Sequence, residues 1–208
     1  ELYEAGAPID AATWDAFEEA VGVVVRSGSI GLMSVSGSVM LGTPPNAYRR
    51  LCDVAKAAGI RVAVDASGPI LVETLAARPW LIKVNAEEAG SAVGHAIRNQ
   101  ADALAAATAI RQRTGGAAVV TRGAEGAVLV TAEGAWAATP PAAGPYGVGS
   151  GDAMLAGMAV ATLRGASLTD ALALGTAAAA ANAAIPGAGL LDPRTAAEFA
   201  CKIDCRRV

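Results

Sequence analysis

The sequence contains few of the residues that build disulfide frameworks and metal centres. It has three cysteines and one histidine in 208 residues. Cys52, Cys201 and Cys205 follow no disulfide-like or zinc-like spacing. This argues against a disulfide-stabilised fold and a zinc site, and it predicts a reducing, cytoplasmic location.

Long apolar runs and basic clusters are also absent. The longest uncharged apolar stretches, such as 153–163, are interrupted well before the roughly 18–20 residues that a membrane span requires. Nineteen acidic residues outnumber sixteen basic ones, which gives a net charge of −3, and no basic run exceeds Arg206-Arg207. The sequence therefore predicts neither a membrane protein nor a nucleic-acid-binding protein.

The chain is instead rich in alternating strand-like and helix-like segments. Strands are predicted at 21–26, 30–36, 61–67, 80–85, 117–123 and 127–132, with a hairpin partner at 133–138. Helices are predicted at 44–59, 71–77 and 100–115, and in three segments from residue 151 onwards. This order is typical of a single α/β domain over residues 1–208, with a mostly parallel sheet flanked by helices on both faces. Ligands of such sheets bind outside the carboxyl ends of the strands.

A glycine-rich turn before an apolar helix is the segment most informative about function. Gly147, Gly149 and Gly151 lie in GVGSGDAMLAG, directly before the helix. The unpaired N–H groups of the first helical turn and the positive end of the helix dipole would hold a phosphate there without a basic side chain. Asp152, at the mouth of the turn, would accept a proton from a substrate hydroxyl as its oxygen attacks phosphorus.

Other interpretations share this pattern. An Asp in the first turn of a helix stabilises the helix by about 0.3–1 kcal/mol without any catalytic role. The glycines alone also resemble the first loop of a methyl-donor-dependent enzyme, or part of a dinucleotide-binding fingerprint. Both require an apolar strand directly before the glycines, whereas TPPAAGPY stands there in this chain.

Together with the rest of the chain, GVGSGDAMLAG resembles the signature of the ribokinase-like (PfkB) carbohydrate kinases. The resemblance is to their hexose-phosphate branch, which includes 1-phosphofructokinases and tagatose-6-phosphate kinases. The segments that resemble it, in the same order, are SGSVMLGTPPNAYRRL (36–51), VDASG (64–68), LIKVNAEE (81–88), VVTRGAEGAVLV (119–130) and AAAAANAAIPGAG (177–189). The resemblance covers nearly all of the chain. It implies the ribokinase-like fold and phosphoryl transfer from ATP, with Mg²⁺, to a hydroxyl group of a sugar phosphate.

The resemblance also implies roles for the matching residues. Asp152 would be the catalytic base, and Asn85 and Glu88 match an N-x-x-E pattern that organises metal-bound water around the triphosphate. The amides of the anion hole would be those of Gly149, Ser150 and Gly151. The nucleotide would be bound by Lys83, Asn85, Glu88, Thr121, Gly123 and Asn182, and Ser36 and Ser38 would line the sugar side.

The sequence departs from the family pattern at three positions and in its length. Val84 replaces a common Pro, Ser150 replaces an Ala, and Gly147 stands where a hydroxyl residue is more usual. Ser150 keeps the main-chain amide, so activity should survive that change. The family's Gly-Gly-Lys-Gly sugar-binding motif and its lid sheet have no counterpart here.

The start of the chain, ELYEAGAPID, has the character of the interior of a protein rather than of a natural beginning. We therefore expect that an N-terminal part and the lid are missing. The alternative function is then a truncated nucleotide-binding fragment without sugar kinase activity. Because dimers of this family form through the lid, the resemblance implies a homodimer for the full-length form.

Overall fold

The structure is a computed structural model that describes residues 6–208. Glu1 and the four residues after it, the first half of the segment from which we expect a preceding part, lie outside the described residues. Within residues 6–208, no helix combines the length and the apolar character needed to cross a membrane.

One sheet organises the described part of the chain. Its strands are β1 (Leu32–Ser36), β2 (Arg61–Asp65), β3 (Leu81–Asn85), β4 (Ala117–Thr121), β5 (Ala127–Val130), β6 (Ala135–Ala138) and β7 (Arg206–Arg207). The helices are α1 (Ala11–Arg26), α2 (Ala47–Ala57), α3 (Gly68–Leu75), α4 (Ala86–Val93), α5 (Gln100–Thr114), α6 (Ser150–Leu163), α7 (Leu168–Ala183) and α8 (Pro193–Ala200). A short 3₁₀ turn spans Gly123–Glu125.

The strands lie in the sheet in their chain order. The first four are parallel, because helices connect them as crossovers. The last three continue the sheet in the antiparallel sense, and the links from β4 to β5 and from β5 to β6 are too short for a crossover. The predicted α/β class with helices on both faces is confirmed, and its parallel part is the half of the sheet formed by β1 to β4.

Side chains alternate between two apolar cores, one on each face of the sheet. Val64 and Ile82 belong to the core shared with α1 to α5. Ala63 and Leu81 belong to the core shared with α6 and α7. Because the alternation has a period of two, the polar residues that end β2 and β3 lie on the α6 side of the sheet.

The predicted strand at 21–26 is wrong, because these residues form the last turns of α1. The buried residues of that helix are Trp14, Gly22 and Val25, which fit one face of a helix. Val23 and Val24 are 61% and 53% exposed. A short apolar run does not distinguish a strand from a helix by its periodicity, and here the preceding turns, capped by Asp10, decide the outcome.

Candidate active site

The glycine-rich turn reaches the head of α6 through a backbone conformation that favours glycine. Gly149, the N-cap residue, has φ of 79°. A Cβ atom there would lie 2.2 Å from the backbone nitrogen of Gly189, in the segment after α7. Both the left-handed conformation and the close approach therefore require glycine at position 149.

The first turn of α6 presents free main-chain donors, as the sequence predicts, although not all of the predicted ones. The N–H group of Ser150 donates to the carbonyl of Gly147 at 3.2 Å. Within residues 6–208, the N–H groups of Gly149, Gly151 and Asp152 have no backbone acceptor. The donors available to an anion are thus those of Gly149 and Gly151 together with that of Asp152, while Ser150 closes the turn.

Asn182, predicted near the nucleotide, lies beneath this turn. Its side chain is fully buried in α7. The Nδ2 group donates to the carbonyl of Val148 at 2.9 Å and to Oγ of Ser150 at 3.0 Å. Asn182 therefore tethers the glycine-rich turn to α7, and its neighbours Ala179, Ala180 and Ala183 line the cavity described below.

A buried ion pair supports the same turn from the sheet. Lys83 on β3 is 4% exposed, and its Nζ lies 2.5 Å from Oδ2 of Asp65 on β2. The two residues are register partners on neighbouring parallel strands. A Cβ atom at Gly151 would lie 2.5 Å from this Nζ. The ion pair is therefore packed directly against the backbone that carries the free amides.

Asp65 is a site residue that the sequence analysis missed. Burial raises the pKa of its carboxyl group, the ammonium of Lys83 opposes that rise, and the negative charge of Asp152 adds to it. Asp152 itself is exposed at the head of α6. The carboxylates of Asp65 and Asp152 thus lie close enough to interact, and Lys83 pairs with the first of them. The available indication was a carboxylate directly after the buried run VAV at the carboxyl end of a strand.

Asn85 and Glu88 meet at the start of α4 in a capping box. Oδ1 of Asn85 accepts from the Glu88 N–H at 2.9 Å, and Oε2 of Glu88 accepts from the Asn85 N–H at 2.7 Å. Burial raises the pKa of Glu88, and the Asn85 N–H opposes that rise. Asp65 raises the same pKa through its charge, so Glu88 belongs to the same electrostatic cluster.

A cavity of about 190 Å³ opens beside the head of α6. Thr121 and Gly123 line one side of it, and Ser150 and Gly151 line another. Most of the remaining lining is alanine and glycine. Thr176 also lines the cavity, and its hydroxyl oxygen is buried without a hydrogen-bond partner in the described part of the chain. The structure thus brings four of the predicted residues to one cavity, with Asn85 beside it as the register partner of Thr121.

Ser36 and Ser38 lie away from this cavity, at the carboxyl end of the edge strand β1. Ser36 is the register partner of Asp65. The Tyr48 hydroxyl fixes the backbone there by donating to the carbonyls of Ser36 and Gly37, each at 3.2 Å. The two serines are exposed on the other side of the Asp65–Lys83 pair from the cavity. The candidate site therefore has two parts, and the head of α6 and the ion pair stand between them.

Comparison with known proteins gives one consistent result. Residues 2–194 match the family described as pfkB family carbohydrate kinase. The chain is similar to 1-phosphofructokinase of Escherichia coli K12, with 32% identity over 178 residues that cover 85% of this chain and 57% of the relative. It is also similar to 1-phosphofructokinase of Rhodobacter capsulatus, with 39% identity over 147 residues, 70% of this chain and 46% of the relative.

The fold is similar to a crystal structure of phosphofructokinase-2 from Escherichia coli in complex with potassium. The TM-score is 0.88 at 27% identity, over 97% of this chain and 65% of that protein. The chain thus spans about half the length of the curated relatives it matches.

Proposed function

The chain belongs to the pfkB family of carbohydrate kinases, and from this premise we propose that it transfers a phosphoryl group from ATP to a hydroxyl group of a sugar phosphate. The observation that carries the proposal is the head of α6, where free amides, the exposed Asp152 and the Lys83–Asp65 pair converge. Because two curated relatives are 1-phosphofructokinases, we assign the acceptor to the fructose or tagatose phosphate class. The low cysteine content supports a cytoplasmic location for this activity.

The cavity beside α6 supports an ATP site. Its lining of mostly alanine and glycine leaves room for a flat ring. Thr121 and Gly123 would hold the middle of the nucleotide. Ser150 and Gly151 lie where the phosphates would leave the cavity, so the amides of α6 would receive their negative charge.

Asp152 would act as the general base. Its carboxylate is exposed at the mouth of the turn, where it would take the proton of the acceptor hydroxyl. The amides of Gly149 and Gly151 would stabilise the charge on the transferring group without reorganising, because Asn182 and the Gly189 contact already hold the turn. Ser36 and Ser38 would contact the sugar from the opposite side.

The donor set fits a magnesium ion bound through water rather than directly. Within residues 6–208, no group of three or more His, Cys, Asp or Glu side chains is arranged to hold a metal ion. Asn85 and Glu88 retain polar atoms beyond their capping box and would orient metal-bound water. A magnesium ion, when bound, would neutralise charge on the triphosphate.

The ion pair would position this machinery. Lys83 donates a hydrogen bond to Asp65, and its remaining N–H groups can donate to a phosphate oxygen. Its contact with Gly151 fixes the distance between the sheet and the amides of α6. Lys83 would therefore hold the turn in place whether or not it contacts the nucleotide.

The proposal is tested by two measurements on the same chain. Thermal unfolding is followed with Mg-ATP, and ADP release is followed with fructose 1-phosphate, fructose 6-phosphate or tagatose 6-phosphate. A rise in Tm with Mg-ATP, together with ADP release dependent on one of the sugar phosphates, supports a kinase. A rise in Tm without ADP release favours the alternative, a nucleotide-binding chain without kinase activity. No rise in Tm contradicts both.

A further inference from the structure

A second cavity, of about 260 Å³, lies at the opposite end of the sheet from the candidate active site. It is formed by the end of α2, the amino end of β2 and the turn between α3 and β3. Arg61 begins β2 and Asp65 ends it, so the two ends are separated by about 13 Å of strand. The cavity is therefore distinct from the site proposed for ATP and the sugar phosphate.

The rim of this cavity is positively charged. Lys56, Arg61 and Arg78 line it, and no acidic residue does. In the described part of the chain, none of the three forms an ion pair; the nearby Asp53 pairs instead with Arg49. The carboxyl ends of α2 and α3 each contribute about half a negative charge, which leaves a net charge of roughly +2 at the rim.

The walls of the cavity are apolar. Cys52 and Val62 are both buried. Burial raises the pKa of the Cys52 thiol to about 12, so the thiol is neutral at physiological pH and lines the cavity as an apolar group. The guanidinium carbon of Arg61 lies 5.2 Å from the ring centroid of Trp80, which holds this cation over an aromatic face at the rim.

Arg78 adopts a backbone conformation that its residue type disfavours. Its φ is 53°, and among residues 6–208 it is the only residue other than glycine with positive φ. Side chains with a Cβ atom rarely adopt this conformation, and strained residues cluster at binding sites. Glycine or asparagine would fit the turn with less strain, so the backbone conformation does not explain why an arginine is present at position 78.

We propose that this cavity binds a small organic phosphate, with the phosphate at Lys56, Arg61 and Arg78 and the organic part against Cys52, Val62 and Trp80. The arginine forks suit a phosphate because each offers paired N–H donors. A phosphate monoester carries up to two negative charges near neutral pH, so it is attracted to a rim of about +2 more strongly than a carboxylate is. This site does not depend on the proposed kinase function.

Phenyl phosphate, benzoate and phenol are the probes, because they share one ring and differ in charge. Each is titrated into the chain while tryptophan fluorescence is recorded, and the Trp80→Phe variant identifies the contribution of Trp80. We expect a saturable Trp80 response that is tightest for phenyl phosphate, weaker for benzoate and absent for phenol. The phenyl phosphate affinity should fall as salt rises, since the rim is exposed.

Charge-removing variants locate the phosphate. Arg61→Gln and Arg78→Asn should each weaken phenyl phosphate binding about two- to fivefold, and the double variant should lose roughly the product of both. Asparagine is chosen at position 78 because it tolerates positive φ and leaves the turn intact. Arg194→Gln, which removes an exposed cation on α8, should leave the affinity unchanged.

Three results would overturn the proposal. One is equal binding of phenol, which would make the cavity an apolar cleft only. Another is unchanged affinity in the double variant, verified as folded by circular dichroism. The third is the absence of any saturable Trp80 response to phenyl phosphate.

Discussion

The ammonium group of Lys83 lies so close to Gly151 that a Cβ atom at position 151 would be 2.5 Å from Nζ. Gly151 is helical and has no positive φ, so it is not the backbone conformation that demands glycine here. The demand comes from a buried cation that is held in place by Asp65. The glycines at the start of α6 are thus required by a contact with the sheet as well as by the shape of the turn.

Substitution of Gly151 with alanine should therefore be costly. The added methyl group has to displace either α6 or the paired Lys83, so we expect a loss of roughly 1–3 kcal/mol in the free energy of unfolding. Urea denaturation measures this loss. Gly147→Ala is the matched control, since Gly147 lies in the same turn and a Cβ atom there would meet nothing within 4 Å. Equal stability of the two variants would contradict the contact.

Removal of Lys83 should destabilise the protein more than removal of an exposed cation. Lys83→Met leaves Asp65 buried without its partner, for which we expect a loss of about 3–5 kcal/mol in the free energy of unfolding. The double variant with Asp65→Asn should lose less than the sum of the single variants, because the two residues interact directly. Arg50→Gln, which breaks the more exposed pairs with Asp15 and Glu18, should cost much less. Additive losses at positions 65 and 83 would show that the pair contributes little.

Asp152 should affect turnover rather than folding. Without a general base, Asp152→Asn should lower kcat by about 10²- to 10⁴-fold and leave the affinity for ATP nearly unchanged. Steady-state kinetics and ATP titration measure the two quantities. Asp170→Asn is the control, because Asp170 occupies the first turn of α7 just as Asp152 occupies that of α6. A similar fall in kcat for both variants would reduce Asp152 to a partner of the helix dipole.

Glu88 should make stability depend on pH in a definite direction. Because burial raises its pKa above the usual 4.5, the folded state binds the proton more tightly than the unfolded state does. Its contribution to stability is therefore present below about pH 4.5 and is lost as pH rises through the raised value. Glu88→Gln keeps an acceptor for the Asn85 N–H and removes the titration.

Urea denaturation at several pH values compares the two proteins. The wild type should lose free energy of unfolding relative to Glu88→Gln as pH rises through this range. A difference that stays constant, or one that changes in the opposite sense, would contradict the raised pKa.

The sequence predicts helices and strands well where the apolar periodicity agrees with the residues that end an element, such as Gly and Asn. The helix at 100–115 and the strand at 80–85 are both found within one residue, because an apolar pattern ends in Gly or Asn at each boundary. The run at 21–26 is predicted wrongly because five uncharged residues before Arg26 carry no decisive period. The short helix α4 also escapes prediction as a full element, since little apolar pattern follows its capping box.

The sequence predicts which segments contribute to the candidate site but not the contacts between them. The turn, Asp152 and the residues around the cavity follow from local sequence. The tether from Asn182 to Val148 joins residues 34 positions apart, and the Lys83–Asp65 pair joins residues 18 apart. Such contacts depend on the order of the strands and on how α7 packs, and no local pattern contains that information.

The contact between Gly149 and the backbone of Gly189 makes the turn and the segment after α7 a single mechanical unit. A shift of the backbone at 188–189 would therefore act on the first turn of α6 without an intervening side chain. Variation in that outer segment is consequently a route by which related sequences can shift the free amides of α6 while every residue of that helix stays the same.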